Sequence, residues 1–370
     1  MPGDIYFNQH TDAARKRKQE NAYTERIEAT EIKKKPGEMS FGDIVTEHGK
    51  IETSIAKKSN GKKKPQKKKR SPAVKTMMTT CITVLILLTA ILLSGVAYVL
   101  SDYEVSEFTE NVHVDESTLT SSPGVYNVLL MGIDTVKTET SSRSDAMILM
   151  SIDVKNATIK LSSFLRDSYV YIPGHGNMKL NAACVYGGPQ LVCDTIEYNF
   201  GIRIDDYAKV GYDMFIKIID AVGGVTIPEI DETEAKALAR EGFHIDPATD
   251  VKLNGNEALL YCRIRKGQSD FYRTGRQREV ITLVLKKLPV SNPVKLISAA
   301  KEIAETIECS IPKSKFIPLL FKAAFCLIGE IEQTKVPADG TWYDATKNYQ
   351  SVLIVDFEEN KKLLTEFLYN

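Results

Sequence analysis

The chain has 370 residues but only one tryptophan, five histidines and six cysteines. It carries none of the short signatures that mark the commonest catalytic sites. It has no G-x-S-x-G, no Walker A sequence and no H-E-x-x-H, which removes the nucleophile-elbow hydrolases, the P-loop nucleotide enzymes and the zincins. The lack of any C-x-x-C removes a zinc knuckle and a thioredoxin-like centre. His175 and His244 stand singly in glycine-flanked or polar stretches and read as surface residues. There is no internal repeat, and no net charge, since 48 Lys+Arg balance 48 Asp+Glu. With 43% hydrophobic and 26% charged residues, the composition excludes a chain disordered throughout, a collagen and a disulfide-dense scaffold.

The balanced total hides a local imbalance. Residues 1–76 hold 19 Lys/Arg against 10 Asp/Glu, and the remainder holds 29 against 38. The two halves meet at Met77–Leu100, 24 residues without a charge. A spanning helix needs about 20 apolar residues, and a cleaved signal would be shorter and nearer the terminus. The sequence therefore predicts one transmembrane helix over 77–100. Lys57–Arg70 reads KKSNGKKKPQKKKR before it, and the acidic SDYEVSEFTENVHVDES follows. The positive-inside rule puts 1–76 in the cytoplasm and 101–370 outside, anchored in the cytoplasmic membrane. The tail is poor in apolar residues and reads as disordered. Its basic run suits anionic lipid, at ~1 kcal/mol per residue near the surface. No helix-turn-helix or zinc pattern accompanies it, so nucleic acid is not an expected partner. Cys81 lies in the span and the other five cysteines lie outside it, where they read as small buried hydrophobes.

After a linker over 101–125, strand and helix patterns alternate. Strands are predicted at 126–134, 146–154 and 158–164, with Asn156-Ala157 as a hairpin turn. A helix follows at 181–200, interrupted or started at Gly187-Gly188-Pro189. Further strands are predicted at 207–210, 225–227 and 351–355. Further helices are predicted at 213–222, from 254, at 270–288, 293–307 and 313–329, and at the C-terminus. This alternation predicts an α/β domain over 126–370, a three-layer α/β/α sandwich with a central mixed sheet.

Two polar groups stand out. Asp134 and Asp145 fall at adjacent strand ends, with Arg143 just upstream of the second. Magnesium is often held by one or two carboxylates plus substrate phosphates, although loop capping would use the same residues. Arg166-Asp167 follows the third strand, and Arg263 and Arg265 alternate. Arg273, Arg276 and Gln277 share one helix face, close behind Asp270. So many arginines in an acidic domain suit a polyanion, because a guanidinium fork matches phosphate oxygens. An outside domain has no ATP supply, so any phosphoryl donor must arrive activated, as a lipid pyrophosphate would.

In their order along the chain, these pieces resemble the LytR–CpsA–Psr family, whose members attach glycopolymers to bacterial peptidoglycan. The matching segments begin with Asn127-Val-Leu-Leu-Met-Gly-Ile-Asp134, Arg143-Ser-Asp145, Ser163-Phe-Leu-Arg-Asp167, Lys179-Leu-Asn-Ala182 and Gly187-Gly-Pro189. They continue with Asp220-Ala-Val-Gly-Gly-Val225, Leu253-Asn-Gly-Asn-Glu-Ala258, Arg263-Ile-Arg265 and Asp270-Phe-Tyr-Arg-Thr-Gly-Arg-Gln277, covering about 126–290. One departure is Leu165, directly before Arg166, where the family usually carries proline. The resemblance implies a pocket for a polyprenyl chain and Mg²⁺ on Asp134 and Asp145. It implies pyrophosphate on Arg166, Arg263, Arg265 and Gln277, with Arg273 and Arg276 alongside and Asp167 and Lys179 nearby. Asp270 would position arginines or help deprotonate the acceptor. The implied reaction moves a glycan such as wall teichoic acid or capsule from undecaprenyl pyrophosphate to peptidoglycan. Pyrophosphate hydrolysis and membrane-bound gene regulation are the alternatives.

Overall fold

The structure, a computed structural model, describes residues 72–133, 144–264 and 270–370. The expected tail up to residue 71 lies outside the described residues, as do Asp134, Arg143 and Arg265. The first described element is a continuous helix, α1, Pro72–Leu100, with proline in its first turn, where its missing N–H costs nothing. Several side chains between 77 and 92 also lie outside the described set. Among the described residues no helix is long and apolar enough to cross a membrane.

The main sheet has six strands: β1 Val125–Ile133, β2 Ser144–Asp153, β3 Thr158–Phe164, β6 Asp206–Val210, β9 Glu308–Cys309 and β10 Ile331–Val336. Their order is β10-β3-β2-β1-β6-β9. The pairs β1–β6 and β10–β3 are parallel and the rest antiparallel, so the sheet is mixed. At the β2–β3 turn Ala157 takes φ 53, and the Asp153 carboxylate accepts from the amides of Lys155 and Asn156 at 3.0 and 3.1 Å.

Alternation along β1 assigns its two faces. Leu129 and Met131 join Ile196 and Phe200 of α2 (Ala182–Phe200) and Leu364 and Leu368 of the terminal helix α9 (Phe357–Tyr369). Val128 and Leu130 face the other way. They meet Leu100, Ala304 of α7 (Pro293–Ala304), Leu319 of α8 (Lys313–Cys326), and Ile281 and Leu285 of α6 (Asp270–Lys287). Helices therefore cover both faces of this sheet, and each fully buried leucine contributes ~1.5–3 kcal/mol.

The central mixed sheet is as expected, but it is joined by strands that the sequence reading did not arrange into sheets. A second sheet runs β11-β12-β4-β5, from Trp342–Lys347, Gln350–Val355, Ser168–Ile172 and Gly176–Lys179, and a separate ribbon pairs β7 (Val225–Ile230) with β8 (Ala248–Leu253). Several of these strands are short and polar, which blurs the period-2 signal. The two-residue turn between β11 and β12 uses positive φ at Asn348 and Tyr349, a hairpin conformation normally marked by glycine. The predicted interruption at Gly187-Gly188-Pro189 is a kink inside α2, where Gly188 takes φ 63.

Residues 101–125, read as a linker, pack along the domain. Tyr103 Oη donates to Ile311 O at 2.7 Å, and the Ser106 amide donates to Cys309 O at 2.9 Å. Asn111 Nδ2 donates to Glu197 Oε2 at 3.0 Å, and the Ile204 amide donates to Glu197 Oε1 at 2.8 Å. Burial raises the Glu197 carboxyl to about 6, against these two hydrogen bonds, which act to lower it. A carboxyl raised on folding contributes stability that is complete below its unfolded value near 4.5 and lost as pH climbs through about 6. The swing is on the order of 2 kcal/mol. Glu197→Gln shifts the zero of the comparison by perturbing Asn111, so the slope is the readout. Urea unfolding at a series of pH values should show wild type losing ground to the variant between pH 4.5 and 7, and parallel curves would refute the assignment.

The five cysteines beyond the first helix, Cys184, Cys193, Cys262, Cys309 and Cys326, are all buried and free. Burial pushes Cys262 up to about 12 and raises the other thiols as well. They are core packing, as the sequence suggested.

Candidate functional site

The polar site sits where β2 begins and β3 ends. Antiparallel register places Met147 opposite Phe164, so two residues further on Asp145 faces Arg166 across the sheet edge. Arg166 Nη1 meets Asp145 Oδ1 at 2.5 Å. At the departure from the family pattern, the Leu165 amide donates to Val336 O at 2.8 Å. A proline there has no such donor, and the bond fixes the strand exit that presents Arg166.

Asp270 opens α6, where a carboxylate suits the helix N-terminus. Its Oδ1 lies 2.8 Å from Arg273 Nη2, one turn on, and 3.6 Å from Arg166 Nε. Arg273 is 5% exposed, and its Nη2 also donates to Asp145 O at 2.9 Å. Asp167 Oδ1 pairs with Lys179 Nζ at 2.7 Å, and its Oδ2 lies 3.7 Å from Arg166 Nε. Burial acts against the Arg166 charge, but Asp270, Asp145 and Asp167 outweigh it and hold the guanidinium above its usual value. Alternating cations and carboxylates thus lock one another in place (Arg166, Arg273 and Lys179 against Asp145, Asp167 and Asp270).

Below this cluster lies an apolar cavity of about 620 Å³. The sheet provides one wall through Leu130, Ile148, Met150 and Ala208. Opposite are α3 (Tyr212–Ala221), α5 (Gly255–Arg263) and α6, which turns Arg273, Gln277, Ile281 and Val284 toward it at helical spacing, with Leu288 of the 3-10 turn after α6 beyond them. The polar end is formed by Asp145, Arg263, Arg273 and Gln277. Fifteen residues of helical rise, ~22 Å, separate Arg273 from Leu288. Gln277 Oε1 is buried without a hydrogen-bond partner among the described residues. Arg263 is exposed, with its guanidinium 5.1 Å from the centre of the Tyr212 ring.

The structure thus brings together Asp145, Arg166, Asp167, Lys179, Asp270 and Arg273, with Arg263 and Gln277 along the cavity. It does not bring Arg276 to them. That side chain is buried against α5, where Nε donates to Tyr261 O at 3.1 Å, Nη2 donates to Ile264 O and Nη1 meets Glu234 Oε1 at 3.2 Å. The reason is helical geometry: Arg276 lies one turn past Arg273 but on the face that meets the end of α5. Among the described residues no group of three or more His, Cys, Asp or Glu could hold a metal. Asp145 supplies a hard carboxylate, 42% exposed, at the polar end of the cavity. That donor chemistry fits Mg²⁺ shared with substrate phosphates. Sequence reasoning missed Tyr212 beneath Arg263, and also the Phe271–Trp342 stack, 4.8 Å between centroids, next to Asp270.

The domain thus has a long apolar cavity headed by arginines and carboxylates, an arrangement with room for an apolar chain and charge for an anionic head. Residues 96–366 match the LytR_cpsA_psr family, and the chain belongs to it. It is 33% identical over 170 residues to the polyisoprenyl-teichoic acid–peptidoglycan teichoic acid transferase TagU of Halalkalibacterium halodurans, a match covering 45% of this chain and 54% of that one. The chain thus spans only about half the length of that relative. It is 30% identical over 287 residues to the regulatory protein MsrR of Staphylococcus aureus, covering 74% of this chain and 82% of that one. Its fold matches that of a LytR-CPS2A-psr family protein, YwtF (TagT), with bound octaprenyl pyrophosphate lipid. There the TM-score is 0.53, identity is 24%, and coverage is 72% of this chain and 97% of that one.

Proposed function

We propose that this protein transfers a glycopolymer from a polyprenyl-pyrophosphate carrier to peptidoglycan. The observation that carries the reading is the joining of the cavity to the arginine–carboxylate cluster at one end. The donor's prenyl chain would lie along α6, and its pyrophosphate would reach Arg263, Arg273 and Gln277, with Arg166 behind Asp145. Arg265, two residues from Arg263 in sequence, would join them. A sugar hydroxyl of the acceptor attacks the glycan-side phosphorus. The new O–P bond forms as the bond to the bridging oxygen breaks, undecaprenyl phosphate leaves, and the hydroxyl proton passes to a base or to solvent. Asp145, with Asp134, would hold Mg²⁺, which neutralises charge on the phosphates when bound. Phosphoryl transfer needs positioning and charge stabilisation more than covalent help. Fixed guanidinium groups supply both without reorganising. Asp270, with one oxygen facing two arginines, is better placed to align them than to take a proton.

In this reading 77–100 anchors the protein in the cytoplasmic membrane with 1–76 inside, its basic run against anionic lipid. The test is full-length protein in membrane nanodiscs with Mg²⁺, a lipid-pyrophosphate-linked sugar and peptidoglycan oligomers. Release of lipid monophosphate with a sugar-phosphate mass gain on the acceptor is expected. Release with no acceptor gain would replace transfer by hydrolysis. Donor binding with no release would leave the regulatory role that the name of MsrR suggests.

A further inference from the structure

Two helices of the catalytic domain expose apolar side chains that its core does not use. The 3-10 turn Leu288–Val290 and α7 present Val290 and Val294, 83% and 74% exposed, and α8 and the turn after it present Phe321, Phe325 and Ile328, the last 83% exposed. Residues 288–300 and 310–329 contain four lysines and no acidic residue. The chain beyond residue 76 is otherwise rich in acid.

The position of these segments relative to α1 gives the patch a direction. A Cβ built on Gly95 would lie 3.5 Å from Ile297 Cδ1. Lys301 Nζ donates to Tyr98 O at 3.0 Å and to Ser101 Oγ at 2.6 Å, and it pairs with Asp102. Going from 297 to 301 along α7 therefore follows 95 to 101 along α1, and both helices rise in the same direction. Val294, one turn before Ile297, lies beside the last apolar turns of α1, below Tyr98. Tyrosine is enriched at membrane interfaces. The patch also lies at the end of the domain away from the polar site. The 3-10 turn caps the far end of α6, Leu285 clusters with Val154 near the β2–β3 turn, and Gly329 abuts Ala157 in that turn.

We propose that the 288–290 turn, α7 and α8 seat on the outer leaflet beside α1, so that the apolar end of the cavity, at Leu288 and Ile307, meets the bilayer. The proposal rests on α1 being the anchor. Apolar side chains inserted to the acyl boundary with lysines at the rim are the physics of an interfacial helix, and Lys295, Lys313, Lys315 and Lys322 favour anionic lipid, while Glu302, near the far end of α7, is paired with Lys217 at 3.0 Å. A prenyl tail could then pass from bilayer to cavity without crossing water. The pyrophosphate would be held about one α6 length, ~27 Å, further out.

The single native tryptophan makes the test direct. Trp342 stacks on Phe271 at the polar end and should be untouched by lipids brominated high on the acyl chain. Full-length protein is reconstituted in phosphatidylcholine–phosphatidylglycerol vesicles, and Val294→Trp, Phe325→Trp and, inside the span, Leu88→Trp are compared with wild type. The two surface tryptophans should add emission quenched at least about half as strongly as the added emission of Leu88→Trp, as insertion to the acyl boundary requires. Quenching of Leu88→Trp alone, with the surface pair open to aqueous acrylamide, would overturn the docking surface and leave the anchor intact. No quenching at any of the three would remove the anchor reading, and this proposal with it. Retained donor turnover in each variant confirms that it is folded.

Discussion

Arg166→Ala should lower lipid-phosphate release by about 10²–10³-fold, the effect of removing one preorganised charge stabiliser at a phosphoryl or acyl centre. The expectation comes from what surrounds this guanidinium. It touches Asp145 at 2.5 Å and lies within 3.7 Å of Asp167 and 3.6 Å of Asp270. Removing it deletes a cation from the pyrophosphate end and leaves three carboxylates with less to oppose them. Their repulsion would turn Asp145 away from the cavity and draw Arg273 toward the acids. Both effects act on the charge-stabilising step, so kcat should fall more than the donor KM rises. Arg166→Lys keeps the charge but loses the fork that spans Asp145 on one side and Asp270 on the other. It should recover only a minor part of the activity. Near-normal kcat in the alanine variant, measured on full-length protein with the same lipid donor, would sink the assignment of Arg166.

This contact was legible in the sequence to a greater degree than the separate reading of carboxylates and guanidinium groups allowed. Once Asn156-Ala157 is taken as a hairpin turn, Asp153 pairs with Thr158, and counting back along both strands sets Asp145 opposite Arg166. The strands of β1 to β3 were clear because both faces of the sheet are covered, so their apolar runs are nearly continuous. The second sheet was not clear, since β11 reads WYDATK and four of its six residues are exposed. The helix α4 (Glu232–Arg240) was also missed, although Asp231 and Glu234 form a capping box at its start, a signal the sequence does carry. The cavity could not be read from periodicity alone. Ile281 and Leu285 look like ordinary core positions, and only the spacing between sheet and helices leaves the space beside them open. Arg276 was misplaced for a related reason: spacing puts it one turn from Arg273 but cannot say which neighbour each face meets.

That misplacement has a measurable consequence. Arg276→Ala should destabilise the fold by about 3–5 kcal/mol, the usual result of removing one partner from a buried ion pair. Arg276 and Glu234 are 5% and 12% exposed, and the same guanidinium bonds the carbonyls of Tyr261 and Ile264 at the end of α5. Those carbonyls carry the negative end of the helix dipole and have no further turn to satisfy them. Removing the side chain leaves a buried carboxylate and two carbonyls without their donor. At ~2–4 °C per kcal/mol for a domain of this size, the melting temperature should fall by about 6–20 °C. Adding Glu234→Gln should return part of the loss by removing the stranded charge while keeping the capping-box acceptor, and the carbonyls keep the double variant below wild type. Arg166→Ala should show the opposite balance, with a large loss of turnover and a smaller loss of stability. If Arg276→Ala instead melts like wild type and loses turnover as Arg166→Ala does, Arg276 binds pyrophosphate after all, and its contacts at the end of α5 are incidental.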